Sequence, residues 1–142
     1  LYPNMFFADT NFLVSYFAGD SNSHHAERVM EEIEAGKIRL IIPVGVIQEC
    51  CHIFEKAERF ALPKEKIANT LIPFLLTSGI EAEDRDVVVA ALRKFHEKNV
   101  DFMDAYLAAR SSASGVPIVS FDKDFKKLDC QVYNPQKDKV GR

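Results

Sequence analysis

Hydrophobic residues in this chain occur in two alternating patterns, short unbroken runs and longer stretches with a helical period. Met5, Phe6, Phe7 and Ala8 form an apolar run ending at Asp9, which predicts a buried strand followed by a helix from about Asn11. Gly19 to Ser23 reads as a turn whose serines can cap a second helix, with Val29, Met30 and Ile33 as its apolar stripe and Gly36 as its stop. Ile38, Leu40, Ile41 and Ile42 predict the next strand, which Pro43 ends. A helix is then expected over residues 44–59, with Val46, Ile47, Cys50, Cys51 and Phe54 near one side. At 100° per residue Glu49 falls at the border of that buried stripe.

Pro63 opens a further helix over residues 64–77, which Pro73 must bend or divide and Gly79 closes. Ile80 begins a brief strand, and Asp84 or Asp86 leads a helix through about Lys98. Asp101 is expected to cap another helix that Gly115 ends, with Asp104 in its first turn. Residues 116–120 predict a second buried strand, with Asp122 and Asp124 directly beyond its carboxyl end. Residues 131–133 suggest a last strand, and residues 136–142 read as a loose polar tail. Strands alternating with helices predict an α/β fold, a parallel sheet covered by helices in one domain over residues 1–142.

Composition narrows the class. A chain of 142 residues, 47% apolar and 27% charged, suits one globular core. No apolar run approaches the ~20 residues of a membrane-spanning helix, and residues 1–8 lack the basic-then-apolar pattern of a signal peptide. Three cysteines, two of them the neighbours Cys50 and Cys51, make neither a disulfide framework nor a zinc motif, so a reducing cytoplasm is expected. The net charge of -3 gives no direct support for a nucleic-acid partner, so such a partner must be argued from local arrangement. Carboxylates that hold divalent cations reverse the local field and allow phosphates to approach.

Ligands of parallel sheets bind outside the carboxyl ends of the strands, and Asp9 and Asp122 stand at two such ends. Glu49 and Asp104 lie towards the starts of helices, so the four acids are expected to converge on one crevice. Four close carboxylates raise one another's pKa and call for a counter-charge. Oxygen-only donors select hard ions, so Mg²⁺ or Mn²⁺ is the natural occupant. Such an ion can polarise a phosphodiester and help ionise water, which makes hydrolysis of that bond the expected reaction. No Gly-rich phosphate loop, GxSxG elbow or HExxH is present to compete.

Four segments carry a family resemblance. Phe7-Ala8-Asp9-Thr10-Asn11, Gln48-Glu49-Cys50, the run from Val100 through Asp104 to Ala109, and Val119-Ser120-Phe121-Asp122-Lys123-Asp124-Phe125 resemble, in order, the motifs of PIN-domain nucleases. The resemblance implies a three-layer α/β/α fold with a central parallel sheet, acting on RNA with Mg²⁺ or Mn²⁺. It extends to VapC-like toxins of toxin-antitoxin pairs, which implies a homodimer neutralised by a small antitoxin protein. By motif, Asp9, Glu49, Asp104 and Asp122 would be the catalytic metal ligands, supported by Thr10, Asn11, Ser120 and Asp124. Ser120 stands where threonine is more usual and keeps the hydroxyl.

Plainer roles compete at several positions. Asp9 can serve as a helix cap, Asp101 and Asp104 have the spacing of a capping arrangement, and Asp122 with Asp124 can form a turn. Glu49 can be a solvated helix charge, His24 and His25 read as capping or solvated groups, and Cys50 and Cys51 as small core hydrophobes. Lys56, Arg59, Lys64, Lys66, Lys123, Lys126 and Lys127 could line an RNA path, although most solvated faces look the same. A catalytically weak RNA- or protein-binding PIN-like module is the alternative function. A haloacid-dehalogenase-type phosphoryl transferase would need a second Asp where this chain has Asn11.

Overall fold

The computed structural model describes residues 4–140. Residues 1–3, part of the stretch expected to hold no signal peptide, and residues 141 and 142 of the expected tail lie outside the described residues. The chain forms two compact units, Leu1–Arg85 and Asp86–Arg142. Both are mixed α/β structures with parallel strand pairing.

The N-terminal unit runs β1 (Met5–Phe7), α1 (Thr10–Ala18), α2 (Ser23–Glu34), β2 (Arg39–Ile42), α3 (Val44–Lys56), α4 (Lys64–Leu75) and β3 (Ile80–Ala82). Its sheet is parallel in the order β1-β2-β3, with Phe6 opposite Leu40 and Leu40 opposite Ile80. Two helices fill each crossover, as parallel connections require. Leu13, Ile42, Ile47, Ile67, Leu71, Leu75 and Ile80 are almost completely buried, so α1, α3 and α4 contribute to the core alongside the strands.

Local signals set most of the boundaries. Gly19 ends α1 in the left-handed region, φ 69°, and its N–H donates to the Ser15 carbonyl. The α2 start differs from expectation: Asn22, not a serine, occupies the cap position, and its side chain makes no cap bond. Pro73 neither divides nor ends α4, because it falls in the last turn, where the helix closes two residues later at Leu75. Gly79 adopts φ 88°, and a Cβ there would lie 2.6 Å from Ile33 Cγ2. This position admits glycine alone without movement.

β1 is also less buried than its apolar run predicted. Phe6 and Phe7 are 53% and 75% exposed, and β1 is an outer strand of its three-stranded sheet. An unbroken apolar run reports hydrophobic capacity on both faces without stating which neighbour covers them.

The C-terminal unit contains the rest of α5 (Arg85–Glu97), then α6 (Phe102–Ser114), β4 (Ile118–Val119), a 3₁₀ helix (Lys123–Leu128) and β5 (Val132–Tyr133). Val88, Ala91, Leu92 and Phe95 of α5, Phe102, Ala105 and Ala108 of α6, and Leu128 of the 3₁₀ helix are buried. β4 and β5 pair in parallel, Ile118 opposite Val132 and Val119 opposite Tyr133. The strand expected over residues 116–120 shrinks to two residues, with Val119 66% exposed. Pro117 brings no N–H to a ladder, while the Val116 carbonyl accepts from Ser111 Oγ instead of a strand. Ser120 N still donates to the Tyr133 carbonyl at 3.0 Å, which continues the pairing past the strand's end.

Candidate active site

Asp9 occupies the cap of α1 with an extended backbone, and its Oδ1 accepts from the Phe12 N–H at 2.9 Å. The capping role is therefore real, and it does not consume the residue. A carboxylate accepts at two oxygens, and the positive end of the helix favours negative charge there. Thr10 is buried and Asn11 exposed on the first turn of the same helix. Glu49 is the sixth residue of α3, which packs against α1. Its side chain is exposed, more so than a position bordering the buried stripe suggested.

Burial pushes the Cys50 thiol up to about 12, with the adjacent Glu49 charge adding to the effect. Burial likewise raises Cys51, followed by the influence of Cys50 and Glu55. Thiols held protonated in this way are poor nucleophiles, so the cysteine pair belongs to the core.

In the C-terminal unit the end of β4 leads into a hydrogen-bonded relay. Ser120 Oγ accepts from the Asp122 N–H at 2.9 Å, and Asp122 Oδ1 accepts from the Asp124 N–H at 2.8 Å. Asp122 thereby caps the 3₁₀ helix, and the Ser120 hydroxyl fixes the backbone that carries it. Asp124 lies in the first turn of that helix.

Asp104, in the first turn of α6, is half-buried. Burial raises its carboxyl above the usual range, and the charges of Asp101, Asp122 and Asp124 raise it further. Asp101 thus participates in the electrostatics although the sequence favoured a plain cap. It occupies the cap position of α6, yet its side chain makes no cap hydrogen bond. Its D-x-x-D spacing to Asp104 was the available signal, because residues three apart on a helix start are neighbours.

The structure therefore brings Asp101, Asp122 and Asp124 into electrostatic range of Asp104 in the C-terminal unit, while Asp9 and Glu49 belong to the N-terminal unit. Among the described residues, no three His, Cys, Asp or Glu side chains converge closely enough to enclose a metal ion. Electrostatic crowding and direct coordination are different tests, and the acids around Asp104 meet the first. Such all-oxygen donors fit a hard, largely hydrated cation that takes only one or two carboxylates directly, as Mg²⁺ does.

Comparison with known families settles the class. The PIN domain model matches residues 6–130, and the chain belongs to the PIN-domain family. PIN domains are generally nucleases, which hydrolyse phosphodiester bonds and use divalent metals, and the helices and parallel sheets here are consistent with their α/β/α fold. No curated protein matches the chain. Among the described residues, no helix is long and apolar enough to cross a membrane.

Proposed function

We propose that this protein is a Mg²⁺- or Mn²⁺-dependent endoribonuclease, the toxin of a toxin-antitoxin pair. The observation that carries the nuclease chemistry is the raised Asp104 carboxyl, crowded by burial and by the charges of Asp101, Asp122 and Asp124 within a PIN-domain chain. Like charges held together at a cost in stability are a mark of functional sites. Asp9, Glu49, Asp104 and Asp122 are the proposed metal ligands, with Thr10, Asn11, Ser120 and Asp124 in support. RNA as substrate, a small antitoxin partner, a homodimer and a cytoplasmic location rest on the likeness of the four motif segments to VapC-like toxins.

A divalent cation bound by these acids would supply charge neutralisation for the phosphate and polarisation of an attacking water. The chain's own contribution is positioning. The Phe12 N–H holds one oxygen of Asp9, the Asp124 N–H holds one oxygen of Asp122, and the Ser120 hydroxyl oxygen accepts from the Asp122 N–H. Each acid thus keeps a defined direction and retains capacity on its other oxygen.

The deciding experiment incubates purified protein with single-stranded RNA and Mg²⁺ or Mn²⁺. Cleavage lost on Asp9→Asn and on Asp104→Asn supports the reading, and undiminished cleavage by both variants overturns it. RNA binding without turnover under either metal would point to a catalytically weak PIN-like binding module. Growth arrest on expression, abolished by Asp104→Asn and relieved by the product of a neighbouring gene, tests the toxin role.

A further inference from the structure

We infer that a cavity of about 260 Å³ between α1 and α2 is a nucleobase subsite that sets the base preference of cleavage, with Asn22 and His25 as its specificity-determining residues. The inference rests on the nuclease reading for its link to cleavage, although base binding there is measurable without it. The cavity lies wholly in the N-terminal unit, lined by Asn11, Phe12, Ser15, Asn22, His25 and Val29 among others. It adjoins the proposed chemistry through Phe12, whose N–H is the group that holds Asp9.

Its lining selects the kind of ligand. Phe12 and Val29 offer an aromatic and an apolar wall, while two carboxamides and an imidazole supply edge contacts. Bases of single-stranded RNA are read in this manner, stacked on aromatic rings and hydrogen-bonded along their edges. No lysine or arginine lines the cavity, so its chemistry suits a neutral base better than a phosphate. The volume is below the usual range for drug-sized ligands and matches a single planar group.

Four local features leave these polar groups ready. Asn22 holds the cap position of α2 but makes no side-chain cap bond, so its carboxamide is not spent on its own helix. Asp20 takes the Ser15 hydroxyl on Oδ2 and the Asn22 N–H on Oδ1, each at 2.9 Å, which ties the loop to α1. Arg28 Nη1 lies 3.4 Å from His25 Nδ1. The His25 ring also lies against that of His24, with centroids 3.8 Å apart and the planes tilted by 40°.

A carboxamide presents a donor and an acceptor side by side, the complement of the N6 and N7 edge of adenine. Adenine is accordingly the base assigned to this subsite.

Two measurements test the assignment. In the first, the 5′ ends of RNA cut by wild type, Asn22→Ala and His25→Ala are sequenced. Wild type should favour adenine at one fixed position by roughly tenfold, the size of one good base contact. Both variants should flatten that preference while still cutting RNA, and an unchanged profile in both overturns the inference.

In the second, adenosine, guanosine, cytidine and uridine are titrated into metal-free wild type while the His25 ring resonances are followed by NMR. A saturable shift with adenosine that Asn22→Ala removes supports the subsite, with an unchanged circular dichroism melt showing that the variant is folded. No saturable shift, or equal shifts with all four, overturns it. Adenosine binding in a protein that cuts no RNA would refute the nuclease reading and leave the purine site standing.

Discussion

Asp104 is the residue whose setting most constrains its behaviour. Its folded carboxyl is raised, by burial first and then by Asp101, Asp122 and Asp124. A raised acid favours the fold below its unfolded pKa, and that advantage is lost as pH rises through the folded value. At neutral pH the ionised group is therefore a liability. Asp104→Asn should raise the melting temperature in EDTA at pH 7, and the gain should vanish below about pH 4, the ordinary range of aspartate. Mg²⁺ should stabilise wild type more than the variant, as ligand linkage requires. Thermal melts over pH and metal read both effects, and a variant no more stable at pH 7 would contradict the crowding. At Asp122 the expectation differs, because Asn keeps the Oδ1 that accepts from Asp124. Asp122→Asn should abolish cleavage with little change in melting temperature, and Ser120→Ala should lose about 0.5–1.5 kcal/mol with the hydroxyl bond to Asp122 N. Ser120→Thr should behave as wild type. Denaturant unfolding and RNA cleavage separate the three. Thiol labelling provides a further check: half-buried Cys130 should react with a disulfide reagent well before the buried Cys50 and Cys51.

Among the elements, the junction between Gly79 and β3 has the least tolerance. Gly79→Ala meets Ile33 Cγ2 at 2.6 Å and keeps a left-handed backbone, and the Gly79 carbonyl accepts from Leu40 N at 2.9 Å. The variant should lose about 1–3 kcal/mol, measured by urea unfolding, and Gly79→Ala combined with Ile33→Leu, whose Cβ carries no second γ carbon, should recover part of that loss. The same scale shows what the residue pattern could report. Helices α1 to α6 were legible from periodic apolar stripes and, at several ends, from breakers: Gly19 and Gly115 stop α1 and α6 in left-handed caps. The strands were placed but overextended, since an apolar run such as residues 116–120 cannot show that the Val116 carbonyl is taken by Ser111. Side-chain capping was the least legible feature. Asp9 and Asp122 cap while Asp101 and Asn22 do not, although all four have suitable side chains: Asn22 has a right-handed helical backbone, whereas Asp101 shares the extended backbone of the two that cap, so neither residue type nor backbone angle alone decides.

For the whole molecule, charge is the controlling quantity. A chain with net charge -3 has no global attraction for a polyanion, so binding of RNA should depend on divalent cations more than on lysines. Affinity for single-stranded RNA, measured by fluorescence anisotropy, should fall at least about tenfold in EDTA at constant ionic strength, where one phosphate contact restored by a cation is worth on the order of a kcal/mol or more. Retained affinity would instead assign binding to the basic side chains of the 3₁₀ helix. The positions of Asp9 and Asp122 as caps after their strands and of Asp104 in the first turn of its helix were legible from the residue pattern. The electrostatic part played by Asp101 was not, since it arises from folded proximity. The cap at Asp9 has a consequence for the history of such proteins. A descendant that has abandoned chemistry still needs a capping residue there to start α1, so an Asp retained at that position records folding and does not by itself report activity. Asp104 is the opposite case, a carboxylate that the fold would be better without. Once selection for cleavage lapses, drift should neutralise Asp104 first, and its loss is the sign by which a retired nuclease of this kind can be recognised.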